Sequence, residues 1–266
     1  MTVLHVVVLT AAGVSLFCWL ASLATRDTSW VDRLWSVVPV VYVWVFAAFA
    51  GLADARLNVM AVLVTLWGAR LTFNFARKGG YAGVEDYRWA VLRSRMPPLA
   101  FQLFNLFFIA AFQNLLLLLI ALPAFTALQN PRPFGVLDGV AAVLFLALLV
   151  GETVADQQQW NFHRQKKAVI DAGREPDARF LTTGLFSVSR HPNFFFEQAQ
   201  WWTFAAFGVI AAGAITWTVA GAVLLTLLFV GSTIFTESIT RSKYPEYADY
   251  QARVSPVVPW FPRAKS

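Results

Sequence analysis

Phe134-Gly-Val-Leu-Asp-Gly-Val-Ala-Ala-Val-Leu-Phe-Leu-Ala-Leu-Leu-Val-Gly-Glu-Thr-Val154 decides the fold class of this chain. A helix of roughly 20 mostly apolar residues crosses about 30 Å of hydrocarbon, and this stretch is long and apolar enough to do so. Windows of the same kind lie on both sides of it, at Val3–Ala24, Leu34–Leu52, Leu57–Phe75 and Leu99–Leu122 before it and at Phe194–Ala212 and Trp217–Phe235 after it. The composition agrees: 58% of the residues are hydrophobic, 14% are charged, and the mean hydropathy is +0.58. The bilayer is therefore the expected solvent. The expected fold is all-α, a polytopic integral membrane protein of about seven transmembrane helices forming a single membrane domain over residues 1–266. Residues 1–127 are expected to shape a substrate pocket and residues 128–266 to hold a cofactor.

Several function classes fall away at this stage. The single Cys18 sits inside the first apolar window, so neither an internal disulfide nor a cysteine metal cluster is expected, and no metal site is. The net charge of +6 is broken up by apolar spans and forms no continuous basic stripe, which argues against nucleic acid as a partner. The first window lacks a charged leading segment and reads as a mature helix, not a signal peptide.

Orientation follows from the basic residues, which are retained on the cytoplasmic side. Apart from Arg56 and Arg132, the 21 Lys and Arg residues fall on, or at the span ends leading into, the loops after spans one, three and five and the C-terminal tail. The N-terminus is expected outside and the C-terminus in the cytoplasm, as in a bacterial inner membrane. A tight turn near Gly213 is expected to join the last two spans as a hairpin. Trp30, Trp35, Trp160, Trp201, Trp202, Trp217 and Trp260 lie near span ends, where indole suits the interface. Gln102, Asn105, Gln113 and Asn114 inside the fourth span are expected to face other helices.

The densest chemistry runs from Glu152 through Asp156, Arg164, Lys166, Lys167, Arg174 and Arg179 to Gly184-Leu-Phe-Ser-Val-Ser-Arg-His-Pro-Asn193, then Glu197. Glu152 and Asp156 are four apart, and so are Asn193 and Glu197, which places each pair on one helix face. Pro192 suits a first helical turn, whose free amides with Asn193 would receive an amide or a phosphate. Tyr244, Tyr247 and Tyr250 recur every three residues after Lys243 and would line one face of a short helix, as an aromatic and basic clasp for a nucleotide or as an interfacial anchor.

Gly184-Leu-Phe, Ser189-Arg-His-Pro-Asn-Phe194, Glu197, the tail Tyr244-Pro-Glu-Tyr-Ala-Asp-Tyr250 and Pro259-Trp260 resemble the C-terminal region of the steroid 5-alpha-reductase superfamily. With Ser29-Trp-Val-Asp-Arg-Leu-Trp35, Arg70 and Glu85-Asp-Tyr-Arg88, the chain is similar to the bacterial branch known as DUF1295. The resemblance implies a membrane reductase that takes hydride from NADPH and saturates an activated carbon–carbon double bond of a lipophilic substrate. It implies that Glu152, Asp156, Arg179, Asn193 and Glu197 contact the cofactor. Arg190 and His191 of the Arg-His-Pro box, Arg164, Tyr244 and Tyr247 complete the expected cofactor set. Lys166 and Lys167 join the arginines as phosphate donors and favour NADPH over NADH.

The steroid reductases place an acid and a tyrosine on the substrate ketone. By spacing from Arg70, those positions fall on or beside Asp32 and on Trp67. Indole has no acidic hydroxyl, so Trp67 is expected to stack on the substrate, with Asp32 and then Tyr87 as proton donors. Two rival readings remain at this stage. One is a membrane methyltransferase of the isoprenylcysteine and phospholipid type using S-adenosylmethionine, whose relatives usually lack the Asn193 and Glu197 pattern. The other is a non-enzymatic lipid-binding protein on the same fold.

Overall fold

Inside hydrocarbon every backbone N–H and C=O must be paired within its own segment, which makes each apolar window a helix. The structure, a computed structural model, describes residues 2–264. Its helices are α1 (Val3–Thr25), α2 (Trp30–Trp35), α3 (Val38–Phe49), α4 (Ala55–Arg77), α5 (Tyr87–Arg95), α6 (Pro98–Phe104), α7 (Gln113–Gln129), α8 (Val136–Asp171), α9 (Pro192–Ala212), α10 (Ala220–Lys243) and α11 (Tyr247–Arg253). No strand occurs among the described residues. Start signals are local: Asp54 Oδ1 accepts from Leu57 N at 2.9 Å to open α4, and Asp86 Oδ1 accepts from Arg88 N at 2.8 Å to open α5.

The protein is an all-α polytopic membrane protein, with one difference from the expected span count. Six helical segments among the described residues are long and apolar enough to cross a membrane, the second of them combining α2 and α3 as Trp30–Phe49. The expected sixth span does form a helix, α9, of 21 residues. It is too polar to qualify, because Asn193, Glu197, Gln198 and Gln200 crowd its first turns. The fifth window is longer than its apolar stretch: α8 has 36 residues, which at 1.5 Å each outruns the hydrocarbon and carries the helix to Asp171.

The chain divides into two compact units, Met1–Phe145 with Trp201–Leu225, and Leu146–Gln200 with Thr226–Ser266. Residues of α8, α9 and α10 each contribute to both units. In the first unit α3 packs against α4 and α7, and Tyr42, Phe46, Met60, Trp67, Leu116, Phe204 and Phe207 are fully buried. Trp201, expected at the interface, is 2% exposed and meets Trp67 edge to face at 4.8 Å. It lies in the middle of α9, away from either end, so the indole fills the core instead of a headgroup layer.

Arg56 is not a loop charge. It is 2% exposed and binds Asp138 through Nε at 2.6 Å and Nη2 at 2.8 Å, joining the start of α4 to the start of α8. Between α6 and α7, Asn105–Phe112 runs as π-helical turns. Asn105, Gln113 and Asn114 are buried as expected, with Asn105 Nδ2 donating to Ser22 Oγ at 2.8 Å. Gln102 differs and is exposed, because it lies on the outer face of α6 near the segment's polar start. Lys265, counted among the basic residues of the tail, lies outside the described residues.

Candidate functional site

In the second unit, α8 and α9 run antiparallel and close together. Gly151 permits the approach, since a Cβ there would collide with the ring of Phe196. One residue on, Glu152 Oε2 accepts from Gln200 Nε2 at 2.6 Å. A turn away on either helix lie Asp156 and Glu197, and all four side chains are buried: Glu152 3%, Asp156 5%, Glu197 6% and Gln200 0% exposed. The other oxygen of that amide, Gln200 Oε1, is buried without a hydrogen-bond partner. Asn193, on the first turn of α9, is half-buried. Helical spacing puts Asp156 beside Glu152 on α8 and Glu197 beside Gln200 on α9. Gln200 is the residue missed in the sequence; a position three residues after Glu197 on the same face was the available signal.

The loop entering α9 is held from both sides. Gly184 takes a left-handed φ of 64° and lies under Gln158, where a Cβ would come within 2.6 Å of the amide. Gln158 Oε1 accepts from Leu185 N at 3.0 Å. Beyond it, the Arg-His-Pro box grips the tail. Arg190 donates to Glu237 through Nε at 2.6 Å and Nη2 at 3.0 Å, and through Nη1 to the carbonyls of Gln251 at 3.0 Å and of Val254. Glu237 Oε1 also lies 3.2 Å from His191 Nε2 and accepts from Tyr247 Oη at 3.3 Å, while Oε2 accepts from Gln251 Nε2 at 2.8 Å. Ser189 Oγ donates to Val257 O at 2.5 Å, and Trp260 N donates to Val188 O at 2.9 Å.

The tail tyrosines belong to the same lock. A short helix does follow Pro245, and Phe180 meets Tyr244, Tyr247 and Tyr250 at centroid distances of 6.3, 5.0 and 5.7 Å. Tyr247 and Tyr250 are buried, and burial pushes both phenols above the ordinary range. Tyr247, expected as part of a nucleotide clasp, thus packs inside the lock with its hydroxyl on Glu237. Tyr244 is different. Burial opposes the shift, but the hydrogen bond and charge of Lys166, with the charge of Lys243, hold its phenol below the usual value. Lys166 Nζ donates to Tyr244 Oη at 3.2 Å and to Arg179 O at 2.5 Å, and lies 4.9 Å from the Tyr244 ring centroid. Arg164, Lys167, Arg174 and Arg179 are exposed.

In the first unit, the Ser29-to-Trp35 motif meets Glu85-Asp-Tyr-Arg88 in a second clasp. Glu85 Oε1 accepts from Thr28 N at 2.9 Å, Thr28 Oγ1 at 2.7 Å and Arg93 Nη2 at 2.6 Å. Burial works against it, but these bonds and the Arg93 charge hold the Glu85 carboxyl below the ordinary range. Ser29 Oγ accepts from Asp86 N at 2.9 Å. Asp32 Oδ2 accepts from Trp89 Nε1 at 3.0 Å. Arg33 turns away from Asp32 to Asp27, at 2.5 Å. Arg88 pairs with Asp86 at 2.7 Å. Asp32 is therefore not the partner of Arg33 that a surface ion pair would make it. Tyr87 is 54% exposed on the outer face of α5, and Trp67 is fully buried against Trp201. Among the described residues no group of His, Cys, Asp and Glu is arranged to hold a metal ion.

A family described as a protein of unknown function, DUF1295, matches residues 18–254, from Cys18 in α1 to the residue after α11. An uncharacterized protein of Schizosaccharomyces pombe is 41% identical over 262 residues, covering 91% of this chain and 75% of the relative. That fungal relative corrects the expectation of a purely bacterial branch. No solved structure matches the chain. With nearly the whole described chain inside the family match, this protein belongs to the DUF1295 family.

Proposed function

We propose that the protein is a membrane reductase of the steroid 5-alpha-reductase superfamily, which saturates an activated carbon–carbon double bond of a lipophilic substrate with NADPH. The observation that carries this reading is the buried face of Glu152, Asp156, Glu197 and Gln200. A buried amide oxygen without a partner calls for an N–H or O–H donor from a ligand. Buried carboxylates accept readily from ribose hydroxyls and from a carboxamide. That donor demand fits the nicotinamide riboside end of a dinucleotide, and exposed Arg164, Lys167, Arg174 and Arg179 with Lys166 fit its phosphates.

When bound, NADPH supplies the hydride for one carbon of the double bond. The chain itself must hold that group, exclude water and deliver a proton to the other carbon. Asn193, on the first turn of α9, is the proposed partner of the carboxamide. Asp32 is the proposed proton donor, being an acid whose hydrogen bonds come from the neutral Trp89 indole and Ser29 hydroxyl, while Tyr87 is too exposed to exclude water. The lock around Glu237 fixes the loop from Gly184 to Pro192 and so orients the start of α9. The same reading sets the C-terminus in the cytoplasm, where the cofactor is, in agreement with the loop charges.

Purified full-length protein in detergent should bind NADPH more tightly than NADH at matched ionic strength, since five cationic side chains, on the last turns of α8 and the segment after it, offer donors for a 2′-phosphate. Titration with NADPH, NADH and S-adenosylmethionine tests this. Equal dinucleotide affinities remove the phosphate assignment, and binding of S-adenosylmethionine alone replaces the reductase by a methyltransferase.

A further inference from the structure

Deep in the first unit, two polar atoms are buried with nothing to bond. Tyr42 on α3 and Asn114 on α7 are both 0% exposed. Tyr42 Oη and Asn114 Oδ1 have no hydrogen-bond partner. The Asn114 amide is not free to turn and hide its oxygen, because Nδ2 donates to Ala110 O at 2.8 Å. That carbonyl lies in the π-helical stretch Asn105–Phe112, a rare backbone form that is frequent at functional sites. Cys18 of α1 is 2% exposed and sits beside both residues. A thiol is too weak a donor to stand in for a hydroxyl or amide partner. Around Cys18 the wall is apolar and aromatic, with Val14, Leu34, Trp35 and Phe108 packed together with Ile109 and Trp89.

In hydrocarbon there is no bulk water to offset an unpaired hydroxyl and carbonyl, so two of them in one buried region point to a ligand. The chemistry of the pair selects the ligand. Tyr42 can donate, and Asn114 Oδ1 can only accept. A ketone or an ether oxygen would answer Tyr42 and leave Asn114 unanswered; an alcohol accepts from one and donates to the other.

We propose that Tyr42, Asn114 and Cys18 line a binding site in the first unit for the hydroxyl end of a lipophilic alcohol. The site shares Trp89 with Asp32 and rests on none of the residues of the cofactor face, and it stands whether its occupant is the molecule reduced or a lipid that regulates the protein.

Photocrosslinking of the full-length protein in detergent, without NADPH, tests it. The probe is a long-chain alcohol with a diazirine near the oxygen, and the control is its methyl ether. The alcohol should label peptides of α1, α3 and α7 about tenfold more than the ether, the effect of one lost hydrogen bond. Tyr42→Phe and Asn114→Leu should each bring the alcohol down to the level of the ether. Tyr42→Phe should not lower the thermal midpoint, because it removes an atom that had no internal partner, whereas Asn114→Leu also loses the Nδ2 bond to Ala110 O and is read by labelling alone. Equal labelling by alcohol and ether, labelling by neither, or labelling that ignores both substitutions overturns the proposal. A fall in the midpoint on Tyr42→Phe also overturns it, by showing that the hydroxyl serves the core. NADPH titration of the same variants is a separate readout: its failure would count against the reductase reading and leave this site standing.

Discussion

Glu237 and Asp32 are both acids of low exposure with an arginine within four residues in the sequence, yet they stand in opposite surroundings. Glu237, in the second unit, receives two bonds from Arg190, one each from Gln251 and Tyr247, and the contact with His191. Asp32, in the first unit, meets the indole of Trp89 and the hydroxyl of Ser29. The neighbouring guanidiniums are spent elsewhere, Arg33 on Asp27 and Arg88 on Asp86. A carboxylate saturated by cations is fixed in charge and place, and suits a structural lock. One met by neutral donors keeps its capacity to exchange a proton, and suits chemistry.

Breaking the lock should have the largest effect. Arg190→Ala leaves Glu237 buried without its cation and should cost about 3–5 kcal/mol of stability. A large drop in thermal midpoint in detergent, with the segment after Tyr244 newly open to protease, is the expected result. A midpoint within a degree or two of wild type would mean that the lock does not hold the tail. Asp32→Asn should leave the midpoint nearly unchanged and slow single-turnover NADPH oxidation by roughly 10²–10⁴-fold, with NADPH affinity intact. Normal oxidation by this variant would erase the contrast between the two acids.

Smaller effects sharpen the comparison. Asn193→Ala should weaken NADPH binding by about 1–3 kcal/mol without changing the midpoint, as read by titration and melting on the same preparation. Glu85 adds a pH dependence to the first unit. Its folded pKa lies below the unfolded one, so its stabilisation is whole above the ordinary glutamate range and fades as pH falls through the lowered value. The midpoint of wild type should therefore decline in acid more steeply than that of Glu85→Gln, and parallel curves would remove Glu85 as the cause. Smallest of all, Lys167→Ala breaks a pair with Asp171 whose side chains are 76% and 60% exposed, and the midpoint should not move measurably.

The helices were legible from the chain alone because the need to cross hydrocarbon is a property of one continuous stretch, summed residue by residue. So was the register of Glu152 with Asp156 and of Asn193 with Glu197, since helical spacing is local. Where composition was mixed, the reading slipped: α9 carries four polar residues near its start and does not qualify as a span, and α8 continues well past its apolar end. Partner choice lay out of reach altogether. Nothing in the order of residues says that Arg190 takes Glu237 at a separation of 47 positions, or that Trp89 takes Asp32 at 57. The same holds for Gln200 and Glu152, and for the unanswered atoms of Tyr42 and Asn114. A side chain's charge and hydrogen-bonding capacity are written in its identity, but what remains to be bonded depends on which neighbours packing brings within 3 Å, and only the folded chain decides that.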